Sequence, residues 1–185
     1  MQLSRCSSTT HDPIMRRRLI CLGALAAFAA VVLRADFDPV LVFNSSPSVP
    51  TGFYLRTDAA PAPGGFVTVR AATIAPAYAH ARGFSDASDR FIKRVAAAGG
   101  VTVCAHGDTV TLGSTYSVRR AAYDSMGRAL PSWTGCRTLA ADEVFLLGDT
   151  ADSFDSRYWG PASTSAIDGV WTPLRIGLPT ESAPR

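Results

Sequence analysis

Two textures of apolar residues divide the chain. Residues 19–33 (LICLGALAAFAAVVL) run for fifteen positions without a charge or a strong polar group, and Arg34 closes the run. Beyond it the apolar residues come in short bursts, at 40–43, 66–69, 90–96, 101–103, 109–112 and 143–147, punctuated by Gly, Pro, Asp and Ser. Bursts of that length, rich in β-branched side chains and bounded by turn residues, predict strands. The stretch 61–65 (PAPGG) predicts a turn ahead of a strand, and Gly107-Asp108 resembles a tight turn between two. Residues 71–82 are the best helix candidate, although Pro76 interrupts them. Residues from Gly177 onward read as a loose tail. Frequent short strands with little helix predict a mostly β, antiparallel domain of barrel or sandwich type over 35–185.

The long apolar run has two physical readings. A bilayer core takes roughly 17–25 apolar residues, so fifteen is short, but Arg34 could snorkel to the interface of a thin membrane. Alternatively the run is the core of a cleavable export signal, with Ala27-Phe28-Ala29 as the better cleavage site. Arg16–Arg18 precede it, and in both readings they stay inside while everything after Arg34 is exported. The expected organisation is a cytoplasmic tail at 1–15, an anchor or signal at 16–34 and one exported domain at 35–185. The expected location is a bacterial inner membrane with the domain in the periplasm, or the soluble periplasm after signal removal.

Composition narrows the classes. Of 185 residues, 47% are apolar and 18% charged, which excludes a disordered chain. The net charge is +3 and no basic stripe interleaves with aromatics, so nucleic acid is not an expected partner. Cys104 and Cys136 are the only cysteines after the apolar run. In an oxidising compartment they could form a bridge, or remain as two buried thiols. The sequence shows no CxxC, HExxH or Cys/His cluster, so neither a metal nor another cofactor is expected. His80 and His106 are expected in surface loops.

Three segments carry candidate chemistry. The stretch 44–54 (NSSPSVPTGFY) follows an apolar strand, and its prolines hold it in a non-helical course that can present a serine. A serine hydroxyl is a poor nucleophile without a base within reach. In 89–95 (DRFIKRV), strand alternation puts Phe91 with Lys93 on one face and Ile92 with Arg94 on the other, so one basic residue points where apolar side chains point. Burial drives a lysine toward its neutral form, which can act as a general base; arginine cannot take that role. Lys93 is also the sole lysine of the chain. The third segment, 148–161 (GDTADSFDSRYWGP), follows the apolar burst 143–147. Asp155 and Arg157 lie two apart, facing alike if the chain is extended or pairing with other groups across a turn, and such groups organise a site rather than break bonds.

In this order, the three segments resemble the boxes of the type I signal peptidases, which are serine–lysine proteases. The first is similar to their nucleophile box in its conjugative-transfer (TraF-type) form, Ser-x-Pro-x-Gly-x-Tyr. The second resembles the lysine box, Tyr/Phe-Ile-Lys-Arg-Val. The third resembles Gly-Asp-Asn-x-Asp-Asn-Ser-x-Asp-Ser-Arg-x-Trp/Phe-Gly. The resemblance implies a signal-peptidase or LexA-like β fold after one N-terminal apolar helix, with Ser48 as nucleophile and Lys93 as general base. It further implies Ser46 as an oxyanion hydroxyl, Ser153 as the group orienting the lysine, and Asp149, Asp155 and Arg157 as supports. Val49 and the Thr150-Ala151-Asp152 stretch depart from the general pattern. The implied substrate is a membrane-tethered preprotein or prepilin cut after small residues, by a monomer at the lipid bilayer. Hydrolysis and ring closure of a pilin are both open outcomes. Two rival readings are a self-cleaving LexA-type protein and a non-enzymatic pilus-assembly module.

Overall fold

A computed structural model of the protein describes residues 17, 20–23, 38–84, 89–114 and 116–174. The expected tail at 1–15, most of the apolar run and the stretch from Gly177 lie outside them. Residues 20–23 are helical. Among the described residues no helix is long and apolar enough to cross a membrane. The chain divides into two compact units, Met1–Asp38 and Pro39–Arg185; the architecture below is that of the second.

That unit is mostly β and antiparallel, as the bursts predict. Strands β1 (Leu41–Asn44), β2 (Gly52–Thr57), β3 (Phe66–Arg70), β4 (Arg90–Ala98), β9 (Glu143–Leu147), β10 (Ala162–Ser163) and β11 (Ile167–Pro173) form a seven-stranded sheet in the order β1-β2-β11-β3-β4-β9-β10. Strands β5 (Thr102–His106), β6 (Thr109–Leu112), β7 (Tyr116–Arg119) and β8 (Gly135–Thr138) form a four-stranded sheet in the order β7-β6-β5-β8. The β5–β6 hairpin turns at Gly107-Asp108, where Gly107 takes a φ of 57° that a two-residue hairpin requires.

Strand β9 explains its own composition. Val144 and Leu146 face one hydrophobic cluster with Val67, Val69 and Val95, while Phe145 and Leu147 face another with Val103, Ala105, Val110 and Leu112. A strand buried on both faces reads as an unbroken apolar run. Its partner β4 serves the same two clusters through a bulge between Val95 and Ala97, which sends Val95 to the first and Ala97 to the second. The two cores thus share one strand pair, and the small sheet packs on its far half.

The helix expected over 71–82 is two: α1 (Ala71–Ile74) and α2 (Pro76–Ala81). Ala75 leaves the helical region (φ −146°, ψ 65°) because the proline ring after it clashes with that conformation, and Pro76 then opens the next helix at a position that needs no N–H. Strand β11 (IDGVWTP) was not signalled, since it carries Asp, Gly and Pro. It nevertheless pairs on both sides, with β2 and β3. Gly169 is required there, because a Cβ would lie 2.9 Å from the Trp171 indole.

Cys104 and Cys136 are cross-strand partners of β5 and β8, with Cα atoms 4.0 Å apart, and are joined as a disulfide. The bridge closes a loop with a sequence separation of 32. Chain-entropy arguments give such a loop about 3–4 kcal/mol. Chemical denaturation with and without a reductant checks this: the reduced chain is expected to lose about that much stability.

Candidate active site

The loop at 44–54 is held from below and from within. Asn44, the last residue of β1, is buried, and its side chain reaches across the loop. Its Nδ2 donates to the carbonyls of Ser46 (2.8 Å), Val49 (3.1 Å) and Pro50 (3.1 Å), while its Oδ1 accepts from the Ser46 N–H (3.1 Å). Val49 anchors the loop in a cluster with Tyr54, Phe66 and Trp171, and the Tyr54 hydroxyl donates to the Pro50 carbonyl at 2.6 Å. In this frame the Ser48 N–H donates to Ser46 Oγ (3.2 Å), and the Ser46 hydroxyl donates to Ser48 Oγ (3.1 Å).

Lys93 lies where strand alternation allows. Phe91, Lys93 and Val95 share a face of β4, and Phe91 and Val95 both pack against the first cluster. Lys93 is only 4% exposed, and its Nζ donates to Ser153 Oγ at 2.8 Å. Burial is the main cause that pushes its amine down from 10.5 to about 8; Asp155 pulls it back up and Arg157 pushes it further down. Arg94, on the opposite face, lays its guanidinium over the Phe66 ring (4.4 Å) and pairs with Asp149 through bonds of 2.9 and 2.7 Å.

The register brings the third segment to this lysine. Strand β9 ends with Leu147 opposite Arg94, so the chain leaves the sheet at Gly148, beside Lys93. The loop then folds back under a buried ion pair. Asp155 caps α3 (Ser156–Trp159), accepting from the Arg157 N–H (3.1 Å) and the Gly148 N–H (2.8 Å). Its carboxylate also takes bonds of 2.8 and 2.5 Å from the Arg157 guanidinium, which donates in turn to the carbonyls of Thr150 (2.8 Å) and Ala151 (3.0 Å). Of the two readings of this segment, the extended one with both residues facing alike does not hold, since a helical turn starts at Ser156; the other holds in part, since Arg157 bonds groups across the loop but also pairs with Asp155 itself.

Gly148 is where the three segments meet. A Cβ there would lie 2.0 Å from Ser153 Oγ and 2.9 Å from the Ser48 carbonyl oxygen. That carbonyl accepts the Asp149 N–H at 2.6 Å. Ser46, Ser48, Lys93 and Ser153 line one cavity of about 720 Å³, whose other walls include Tyr78, Phe84, Phe91, Ile92 and Phe154. The fold therefore brings Ser46, Ser48, Lys93 and Ser153 together at this cavity, while Asp149, Asp155 and Arg157 brace the loop that carries Ser153 and do not line it. Ser48 and Lys93 each bond a neighbouring serine, and not one another.

Asn44 and Gly148 are structural keys that went unassigned in the sequence. An Asn ending an apolar strand before a Ser/Pro loop is a usable signal, since its side chain readily bonds nearby backbone. Gly148 gave none, because its constraint arises only once the loop folds Ser153 back onto it and the Ser48 carbonyl packs beside it. Of the two histidines expected in surface loops, His80 is exposed on α2 and His106 is exposed at the end of β5, so both are at the surface but neither is in a loop. The expectation that no Cys/His cluster exists is corrected: strand pairing brings the ligand atoms of Cys104, His106 and Cys136 within 4.8 Å of one another in the small sheet.

This chain belongs to the signal peptidase family, peptidase S26, a family of serine peptidases, which it matches over residues 15–173. Among individual proteins, it is 31% identical to the plasmid transfer protein TraF of Escherichia coli over 177 residues, covering 85% of this chain and 96% of that protein. Among solved structures, it aligns with a signal peptidase I from Enterococcus faecalis V583 at 20% identity and a TM-score of 0.37, over 63% of this chain and 100% of that one.

The close approach at Gly148 is testable. Gly148→Ala is expected to cost about 1–3 kcal/mol by overpacking, read as a lower denaturation midpoint. A structure of the variant should show Ser153 displaced from Lys93.

Proposed function

We propose that this protein is a serine endopeptidase that uses Ser48 as nucleophile and Lys93 as general base on exported preproteins. The observation that carries the reading is the buried Lys93 amine, held by Ser153 at 2.8 Å and facing the same cavity as the rigid Ser48 loop. Neutral Lys93 takes the hydroxyl proton as Ser48 Oγ attacks the scissile carbonyl. A rotation of the Ser48 hydroxyl away from Ser46 completes that path, as catalytic hydrogen bonds commonly tighten only when substrate is bound. The oxyanion takes the place that Ser46 Oγ occupies at the Ser48 N–H, with the Ser46 hydroxyl as second donor. One such donor is typically worth about 2.7–4 kcal/mol. Protonated Lys93 then gives its proton to the leaving amine, and an acyl-enzyme on Ser48 remains.

The similarity to a plasmid transfer protein supports a substrate exported during conjugation, a membrane-tethered prepilin or preprotein. Water resolves the acyl-enzyme to a linear product; the substrate's own amino terminus would resolve it to a ring. We place the protein in the inner membrane through residues 19–33, with Pro39–Arg185 in the periplasm and working as a monomer. An apolar surface beside the nucleophile loop supports contact with lipid: the cross-strand pairs Leu41–Leu55 and Phe43–Phe53 of β1 and β2 are all exposed.

Incubating the full chain with a cognate prepilin and weighing the products tests the activity. Ser48→Ala and Lys93→Ala are each expected to abolish processing, and processing that survives either change would end the reading. A product lighter than the linear form by one water marks cyclisation.

The amine sets the pH dependence. Single-turnover acylation is expected to rise with pH through about 8, as Lys93 gives up its proton. Stability follows the same group. Between about 8 and 10.5 the unfolded chain holds a proton that the folded chain has released, so the Lys93 contribution to stability increases with pH across that window. Below it the fold carries a buried cation. Lys93→Met, which fills similar space without charge, is therefore expected to be inactive yet more stable at pH 7 by about 1–3 kcal/mol, measured by chemical denaturation.

A further inference from the structure

The four-stranded sheet has one apolar face and one that holds different chemistry. Val103 and Ala105 of β5 point into the core with Val110 and Leu112. By strand alternation Cys104 and His106 point the other way, and Cys136 of β8 stands directly across from Cys104. The ligand atoms of these three residues lie within 4.8 Å of one another, with His106 and Cys136 exposed. His106 Nε2 is 3.5 Å from Cys136 Sγ.

That last distance fits a metal. With Zn–S at about 2.3 Å and Zn–N at about 2.0–2.1 Å, a tetrahedral site sets sulfur–nitrogen edges of about 3.5 Å. The histidine and one sulfur already stand at that separation, on a paired sheet that fixes their backbones. The two sulfurs must part, and Cys104 Sγ, already within 4.8 Å of the imidazole ligand atom, must settle at the same separation.

We propose that reduction of the Cys104–Cys136 bridge converts this face into a binding site for a thiophilic divalent cation such as zinc, with Cys104 Sγ, Cys136 Sγ and His106 Nε2 as ligands. A dithiol reductant delivers two electrons and two protons to the bridge and is itself oxidised to a disulfide. The cation then displaces one proton from each thiol and takes the Nε2 lone pair, the imidazole proton residing on Nδ1. Water completes the fourth position. The oxidised protein, with both sulfurs committed to each other, offers the imidazole alone and holds no metal.

Cobalt(II), whose thiolate complexes are coloured, is the probe. The full-length chain carrying Cys6→Ser and Cys21→Ser is titrated in oxidised and reduced forms, with circular dichroism recorded for each. The reduced form is expected to take up one equivalent and show a sulfur-to-cobalt charge-transfer band, and the oxidised form to show none. His106→Ala is expected to weaken uptake at least about tenfold, the lower bound for losing even an outer-shell partner. A reduced chain that binds no cobalt, folded or not, overturns the proposal, as does equal uptake by His106→Ala. Because peptidase activity is not read, the outcome is independent of the proposed function.

Discussion

Asp155 and Arg157 meet with no water to screen them, their side chains 0% and 3% exposed. Taking two charges out of water costs several kcal/mol per ion, and only dense hydrogen bonding offsets it. Here every direction is used. The carboxylate holds the Gly148 and Arg157 N–H groups as well as the guanidinium, and the guanidinium ties down the Thr150 and Ala151 carbonyls. The loop between β9 and α3 is thereby one piece, fixed at both ends. Both halves of the site ride on it, since Ser153 orients the Lys93 amine and the Asp149 N–H holds the Ser48 carbonyl.

Against that scaffold the lysine is a deliberate weakness. Neighbouring residues of β4 show the two fates of a basic side chain. Arg94 spreads over an aromatic ring at the rim and meets a carboxylate, keeping its charge. Lys93 is turned inward, finds a neutral hydroxyl as its hydrogen-bond partner among the described residues, and has its proton loosened. Desolvation dominates, and the opposing charges of Asp155 and Arg157 act on it in opposite senses. A site of this kind trades stability for a reactive free amine at near-neutral pH.

How much of this was legible differs by residue. The inward turn of Lys93 followed from alternation with Phe91, a local property. The strands 109–112 and 143–147 appeared with the expected bounds, because apolar bursts between turn residues leave little choice. The order of the three segments carried the family, and with it Ser46, Ser48, Lys93 and Ser153, which line the cavity. What could not be read depends on pairing between distant segments. Strand β11 is held by two neighbours against its own turn-forming composition, and the adjacency of Gly148 to Lys93 is a matter of register. His106 meets the cysteines only because β5 and β8 are adjacent. Ala75 is a local case that the proline did announce, as a break where a continuous helix was expected.

The sole lysine of the chain is also one of its buried bases. Apart from the backbone terminus, the protein therefore offers a single primary amine to acylating reagents, and the conformation of the chain sets how that amine behaves. In the native state the reagent must enter the cavity, but it finds an amine already partly uncharged; in the denatured state it finds an open one that is fully protonated at neutral pH. Modification chemistry directed at amines thus becomes a one-site gauge of whether this pocket is assembled, with no label to be engineered in.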